Sequence, residues 1–580
     1  MRPVRGWRLR RPGWSAWRLV RFPVIAAAVV AVLVPSLSGA GPRAAFASAA
    51  ARQTARPAWW GYTRPATYKQ VVTELMLPID GVKLQCDLSR PGTSAQTPAP
   101  GRFPSLLVQY TPYEAQLEQV VAGDDALFSE RGYAALTCVV RGSGESTGTY
   151  TPMLSHQEIS DGVRLIEWLA HQPWSDGRVG MEGDSYGGMT TMLVAARRPA
   201  HLVAIAPQQF PDNLYLDTVY PGGIKSTPYV ADDWPTTITA ISGGRILGPT
   251  VEKAYLAHPT IDTFWRSADV DTHYRDIKVP VLDINSGRPD VYFRASLPAN
   301  YAGLRKHGWF IVGPWEHGFW QGNDYQHLPT GVLLAWFDHW LAKRHGAPRF
   351  SQLSRLVSYE EPVGVGRGWE SLNGWPPKDV RTRRLYLGPG TLRRRAGNRG
   401  SESYVGAPGS PPANPQCVNP GVPPEPPFET CNRPAGTAGG YLVFNSSRLR
   451  HDTVLTGQIT LHIRAKADAP QANLYAEAFD IAPNGNATFI DDGALAGSHR
   501  LSNSHPTPLK PGRMTTFRFS ISAFDWRFAA GHHLRLRLSA GPADQLVPAE
   551  DTPVTVSVSF GRHGSYINLP IRNPGGSNPP

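Results

Sequence analysis

Residues 178–199 read RVGMEGDSYGGMTTMLVAARRP, and the rest of the chain is organised around them. Positions 179–182 have the apolar character of a buried strand end. Gly183-Asp184-Ser185-Tyr186-Gly187 forms a tight turn, and 188–196 reads as an apolar helix stopped by Pro199. A strand, a G-x-S-x-G turn and a helix together make an elbow that lifts a serine hydroxyl clear of a sheet. The following helix turns free N–H groups and its positive dipole end towards any anion that develops there. Ser185 is therefore the candidate nucleophile. The same pattern recurs at Gly144-Glu145-Ser146-Thr147-Gly148, but the apolar run before it (133–140) ends several residues earlier and Pro152 interrupts the stretch after it. Without a strand leading in and a helix leading out there is no elbow, so Ser146 is expected in a surface loop.

Upstream, 70–77 and 82–89 are β-type runs on either side of Pro78-Ile79-Asp80-Gly81, whose Asp-Gly signals a hairpin. A strand at 104–109, a helix near 124–131, a strand at 133–140 and a helix at 157–171 lead into the elbow. Downstream come a strand at 202–206, a segment at 210–276 rich in Tyr, Trp, Pro and Gly, strands at 279–284 and 308–312, and an amphipathic helix at 332–342. Alternating strands and helices predict a parallel sheet covered on both faces; with the strand–G-x-S-x-G–helix elbow in it, the expected fold is an α/β-hydrolase domain with a helical cap insertion at about 210–276. From about residue 350 the texture becomes β. Runs at 384–387, 441–444, 455–465, 474–481 and 534–538 alternate, and Pro483-Asn484-Gly485-Asn486 supplies a turn, so a C-terminal β-sandwich of jelly-roll type is expected. The Pro/Gly/Ser-rich stretch 388–439 reads as a long loop within it. The expected organisation is a signal peptide at 1–47, a catalytic domain at 48–348, the jelly roll at 349–572 and a disordered tail at 573–580.

The formal charge of +12 suggests a polyanion partner until it is located. Residues 1–47 carry eight arginines and no acid, leaving 50 basic against 46 acidic side chains, an ordinary soluble surface with no claim on nucleic acid. That N-terminal segment has a basic region, an apolar run at 23–37 and small residues at Ala45-Phe46-Ala47, the layout of a cleaved secretory signal. The run is short for a span and carries Pro23 and Pro35, so no membrane segment is expected after cleavage. All four cysteines lie in the exported part, an even count that suggests disulfides. Cys417 and Cys431 bracket a Pro-rich loop, and pairing them would stabilise it by about 3 kcal/mol. Cys86 and Cys138 fall in separate predicted strands and could pair across a sheet. Neither spacing is that of zinc ligands.

A serine hydroxyl needs a base to remove its proton, and the usual base is a histidine oriented by a carboxylate. In α/β-hydrolases these come after the serine in the order acid, then histidine, each just past a later strand. Among 17 histidines, His317 directly follows a buried strand, in WFIVGPWEHG. For the acid, Asp290 ends the turn after 279–284. Asp283 lies inside that strand, and Glu316 adjoins the base too closely to face its Nδ1. Two donors are wanted for a tetrahedral oxyanion. The Tyr186 backbone N–H is supplied by the elbow, and the Tyr113 hydroxyl is the candidate from the loop after 104–109.

With these positions assigned, the chain resembles the bacterial cocaine esterase and X-prolyl dipeptidyl peptidase family of serine hydrolases. The resemblance is carried by QYTPY (109–113), VRGSGESTG (140–148), EWLAHQPWSDGRVGMEGDSYGG (167–188), HPTIDTFW (258–265), IKVPVL (277–282), GPWEHG (313–318) and WFDHWL (336–341). It continues through WPP (375–377), LYL (385–387) and FDWRFAAGHHLRLRLSAG (524–541), and so covers nearly all of the exported chain. It implies Ser185, Asp290 and His317 as nucleophile, acid and base, Tyr113 as an oxyanion donor, and a jelly roll bordering the pocket. The acid turn departs from the family pattern G-W-Y/F-D. Here Arg288 and Pro289 replace the aromatics, implying a different pocket wall.

The expected protein is a secreted serine hydrolase of carboxylic esters or amides that works through an acyl-enzyme on a small molecule or short peptide, with no cofactor and no metal. An X-Pro dipeptidyl-peptidase or α-amino ester hydrolase is the alternative. It would need carboxylates such as Glu114, Asp232 or Asp233 to neutralise a free ammonium. A non-catalytic jelly-roll binding protein is the alternative from another class. Oligomeric state is left open by the sequence.

Overall fold

The computed structural model describes residues 58–230, 233–287, 297–315, 331–362, 365–406, 440–541 and 546–572. The expected signal peptide, the Cys417/Cys431 pair and the tail at 573–580 lie outside them.

Strand β1 (Lys69–Ile79) and β2 (Val82–Gly92) pair antiparallel in register Ile79↔Val82. Asp80 and Gly81 turn the chain with φ of +42° and +82°, the two positive values a two-residue hairpin demands. Next come β3 (Phe103–Thr111), β4 (Ala134–Val139), β5 (Ser175–Asp184), β6 (Leu202–Gln208), β7 (Val281–Ser286), β8 (Gly308–Gly313), β9 (Leu356–Glu360) and β10 (Gly368–Leu372). They form one sheet in the order β1-β2-β4-β3-β5-β6-β7-β8-β9-β10. β4 through β9 run parallel, and β10 returns antiparallel on β9. Cys86 sits opposite Cys138 on β2 and β4, and the two are disulfide-bonded.

Because side chains alternate along a strand, the parallel strands feed two cores. Leu107, Ile205 and Val281 join one core with helices α1 (His156–Ala170) and α2 (Tyr186–Ala196). Leu106, Val108, Ala204, Ala206, Leu282 and Ile284 pack on the other side, against a late helix at Gly331–Trp340. Helix α2 is buried from Tyr186 to Ala195, which explains its all-round apolar sequence. The helix expected at 124–131 is reduced to Ala126–Ser129 after a wide π turn at Val121–Asp125. Asp125 is buried in that turn, held by Thr137 Oγ1 at 3.0 Å and Ser89 Oγ at 3.3 Å.

The insertion between β6 and β7 contains α3 (Asp233–Ile241), α4 (Gly248–Ala257) and α5 (Thr263–Ala268). It leans on the β-rich C-terminal part. Val547 N–H donates to Lys225 O at 2.9 Å, Ile261 N–H to Asn503 O at 3.1 Å, and Tyr215 Oη lies 3.4 Å from His499 Nε2.

The C-terminal strands β11 (Val380–Gly388), β12 (Thr391–Arg393), β13 (Gly400–Gly406), β14 (Tyr441–Asn445), β15 (Thr453–Ala467), β16 (Asn473–Ile481), β17 (Ala487–Ala496), β18 (Thr515–Phe528), β19 (His533–Ser539), β20 (Val554–Phe560) and β21 (Tyr566–Arg572) build the jelly-roll domain around one apolar core. The five alternating runs in the sequence are β11, β14, β15, β16 and β19. Sheet membership changes between Leu372 and Val380 rather than at 348/349, because β9 and β10 add to the first sheet. The two parts are joined by main chain and charge. Glu361 N–H donates to Asp525 O at 2.8 Å, Arg527 N–H to Glu361 O at 2.6 Å, and Arg527 Nε to Glu360 Oε1 at 2.6 Å. Among the described residues no helix is long and apolar enough to cross a membrane.

Candidate active site

β5 ends at Asp184 and α2 begins at Tyr186, so Ser185 alone makes the turn, with φ +57° and ψ −119°. A non-glycine residue held there costs about 1–3 kcal/mol and persists only where its surroundings over-determine it. They do. Ser185 N–H donates to Gln208 O at the end of β6 at 3.0 Å, and Ser185 O accepts from Gly188 and Met189 N–H at 3.0 and 3.2 Å. The flanking glycines let the strand and helix close on each other. A Cβ on Gly183 would stand 2.8 Å from the Gly187 carbonyl, and one on Gly187 would stand 2.0 Å from Gln109 Oε1.

Tyr113, in the loop after β3, is buried and places its hydroxyl 3.4 Å from Ser185 Oγ. The loop is anchored from behind, where Val140 N–H donates to Thr111 O at 3.0 Å and Ser143 Oγ to Pro112 O at 2.6 Å. Burial pushes the Tyr113 phenol above its ordinary value, against opposing hydrogen bonds from Ser185 and the Tyr186 backbone. The phenol therefore stays protonated and able to donate. The rings of Tyr186 and Trp234 pack edge-on to Tyr113 at 6.0 and 6.5 Å.

Behind the elbow the Tyr186 hydroxyl donates to Glu158 Oε2 at 3.0 Å, accepts from Leu154 N–H at 3.3 Å and lies 3.4 Å from Tyr150 Oη. Glu158 is fully buried, and desolvation raises its carboxyl to about 8 against the Tyr186 hydrogen bond; the charge of Asp161 adds to the rise. Asp161 is itself paired with Arg141 at 2.6 Å. Asp184, the residue before Ser185, is raised to about 7 by burial and then by Asp124, opposed by a hydrogen bond from Gln109.

Of the residues expected from sequence, the structure brings Ser185, Tyr113 and Tyr186 together. Asp290 and His317 lie outside the described residues, as does Glu316. The strands that precede them in the sequence, β7 and β8, follow β6 in the sheet on the same side of β5. Gln209 N–H donates to Ile284 O on β7 at 2.8 Å, and Gly287 N–H donates to Gly313 O at the end of β8 at 2.7 Å. Asp283 is buried within β7, bonded by Asn285 Nδ2 at 2.9 Å and raised to about 7 by desolvation. Ser146 is corrected in one respect: it is buried rather than on the surface. Its hydroxyl donates to Val139 O at 2.8 Å and accepts from Gln85 N–H at 2.9 Å, which makes it a strut for the edge of β2.

The sequence profile of the X-Pro dipeptidyl-peptidase (S15 family) matches residues 80–240 and 239–319, and that of the X-Pro dipeptidyl-peptidase C-terminal non-catalytic domain matches 349–559. The chain belongs to the cocaine esterase and X-Pro dipeptidyl-peptidase family of serine hydrolases. A Mycobacterium bovis protein named as a serine esterase is 24% identical, over 92% of this chain and 99% of its own. The cocaine esterase of a Rhodococcus strain is 23% identical over 81% and 90%. The crystal structure of an aminopeptidase from a marine sediment archaeon superposes with a TM-score of 0.73 at 20% identity, covering 90% of this chain and 99% of that one. Relatives in this family are named as a serine esterase, a cocaine esterase and Xaa-Pro dipeptidyl-peptidases, and the chain is a serine hydrolase of this family.

Sequence reasoning does not single out Glu158. The pattern Ser155-x-x-Glu158 is the available signal, since it is a helix capping box. The Ser155 side chain does accept from Glu158 N–H at 3.2 Å, but the Glu158 carboxylate turns to Tyr186. Glu114 lines a cavity of about 520 Å³ with Glu74, Asp87, Glu118 and Glu145, and Ser185 is not among the lining residues. Asp232 and the side chain of Asp233 lie outside the described residues.

Proposed function

We propose that the protein is an exported carboxylesterase that works through an acyl-enzyme. Ser185 Oγ attacks the ester carbonyl while His317, fixed in its tautomer by Asp290, takes the proton. The Tyr113 hydroxyl and the Tyr186 N–H hold the oxyanion. Collapse of the tetrahedral species breaks the bond to the leaving oxygen, which receives the proton from His317. Water, deprotonated by the same imidazole, then attacks the acyl-enzyme and releases the carboxylic acid with Ser185 restored. The observation that carries this reading is the Tyr113 hydroxyl 3.4 Å from a Ser185 held at φ +57°. The Tyr113 ring is fixed by edge-on packing against Tyr186 and Trp234, which supports a set position for its hydroxyl. Export is supported by the leader at 1–47 and by the Cys86–Cys138 bond, a feature of oxidising compartments.

An X-Pro dipeptidyl-peptidase is the second reading, favoured by the family profile and by relatives of that name. Ser185→Ala is expected to abolish turnover of p-nitrophenyl acyl esters with an unchanged melting curve, and retained turnover would move the chemistry to another residue. Assayed side by side, the parent protein should turn over the acyl ester faster than an X-Pro-p-nitroanilide. The reverse order would select the peptidase.

A further inference from the structure

At the edge of the sheet opposite Ser185, where the parallel strands begin, three side chains of metal-ligand type converge. Glu167 and His171 stand one turn apart at the C-terminal end of α1. His201 lies immediately before β6, and its carbonyl accepts from Val179 N–H on β5 at 3.0 Å. One ligand atom from each of the three lies within 4.8 Å of the others, and His201 Nε2 is 3.8 Å from Glu167 Oε2.

The outer contacts of the two imidazoles make this more than a chance grouping. His171 Nδ1 lies 2.7 Å from Glu167 O, and His201 Nδ1 lies 2.9 Å from Gly177 O. A carbonyl oxygen can only accept, so in each neutral ring the proton sits on Nδ1 and the lone pair is left on Nε2. A backbone carbonyl on one nitrogen with the other free is the arrangement that orients histidines for a metal. The rings meet edge to face at 5.1 Å. Glu360, Glu370 and Asp525 also converge, but Arg527 and Arg572 already neutralise them.

We propose that Glu167, His171 and His201 bind a divalent transition metal of the zinc class. Zinc holds nitrogen and oxygen ligands at about 2.0–2.2 Å, which places tetrahedral donors about 3.4 Å apart. The His201–Glu167 separation needs to close by only a few tenths of an ångström. Two imidazoles and a carboxylate favour zinc, nickel or copper over calcium or magnesium. All three side chains are partly exposed, so water completes the coordination and the ion enters without opening the core. Bound there, it pins the end of α1 to the starts of β5 and β6. The site lies roughly 25 Å of strand away from the nucleophile, from Gly177 to Ser185, so its role is structural and does not depend on the hydrolase reading.

The test uses the full chain after EDTA treatment and dialysis, titrated with ZnCl₂ by calorimetry at pH 7.5 and then taken through thermal unfolding. One saturable equivalent and a raised Tm are expected. His201→Ala and Glu167→Gln should each weaken binding at least tenfold, and the His171→Ala/His201→Ala double variant should abolish the Tm rise. Ester turnover and metal-free Tm should match the parent protein, showing that the fold is intact. Absence of a saturable equivalent would overturn the proposal, as would an equivalent kept in full by the double variant.

Discussion

The Tyr113 hydroxyl faces Ser185 Oγ at 3.4 Å, although the two residues reach that point from different strands, β3 and β5. A phenol kept protonated by burial is a donor that gains strength as negative charge develops on the bound carbonyl. Tyr113→Phe keeps the ring packed against Tyr186 and Trp234 and removes only the donor. Steady-state kinetics on an acyl ester should show kcat reduced by about 10²–10³-fold with KM little changed. An unchanged kcat would remove Tyr113 from the oxyanion site.

Glu158 makes stability depend on pH in a direction opposite to that of a salt-bridged carboxylate. Its carboxyl is raised from 4.5 to about 8 by burial. Between those values the folded protein holds a proton that the unfolded chain has released, so stability falls as pH rises through that window and levels off above it. Asp184 and Asp283, each raised to about 7, add slopes of the same sign. Thermal unfolding should therefore show Tm declining from pH 5 to pH 8. Glu158→Gln, neutral at every pH and still able to accept from Tyr186, should flatten the decline by one group's share, about 1.4 kcal/mol per pH unit at most. An identical slope in the variant would mean that Glu158 is charged in the fold.

Much of this architecture is legible in the sequence because its signals are local. Asp80-Gly81 announces the first hairpin, and Gly183 to Gly187 announces the elbow, through backbone requirements that few other residues meet. β9 and β10 are harder to assign. VSYE and GWESL read as the start of the β-rich half, and only pairing of β9 with β8, some 45 residues earlier in the chain, puts them in the first sheet. Pairing partners at that separation leave no mark on periodicity. The burial of Ser146 and the bond from Tyr186 to Glu158 are hidden for the same reason, since each depends on a residue brought from a distant element. The expected acid and base, Asp290 and His317, are reached by counting strands, which orders the chain without fixing a distance to Ser185.

Gly187 tests how tightly the elbow is closed. A methyl group there would stand 2.0 Å from Gln109 Oε1, and Gln109 is held in place by its hydrogen bond to Asp184. Gly187→Ala should destabilise the protein by about 1–3 kcal/mol, the usual cost of overpacking, and reduce turnover by displacing Ser185. Gln109→Ala in the same chain opens the space. In a double-mutant cycle by urea unfolding, the pair should be less destabilised than the sum of the two single variants. Strict additivity would show that the side chain of Gln109 does not set the limit.

The junction of the two domains turns on a buried charge pair. Glu360 is fully buried on β9, and Arg527, from β18, reaches it at 2.6 Å while the main chains of Glu361 and Arg527 hydrogen-bond alongside. Arg527→Met leaves the carboxylate without its principal cation in a site water cannot reach, and should cost about 3–5 kcal/mol. Glu360→Gln/Arg527→Met removes both charges and retains most of the volume. The double variant should therefore recover much of that loss, because the penalty comes from the unpaired charge rather than from the missing attraction. If the double variant unfolds as easily in urea as Arg527→Met alone, the guanidinium is contributing packing at the junction, and the two domains are held together chiefly by shape.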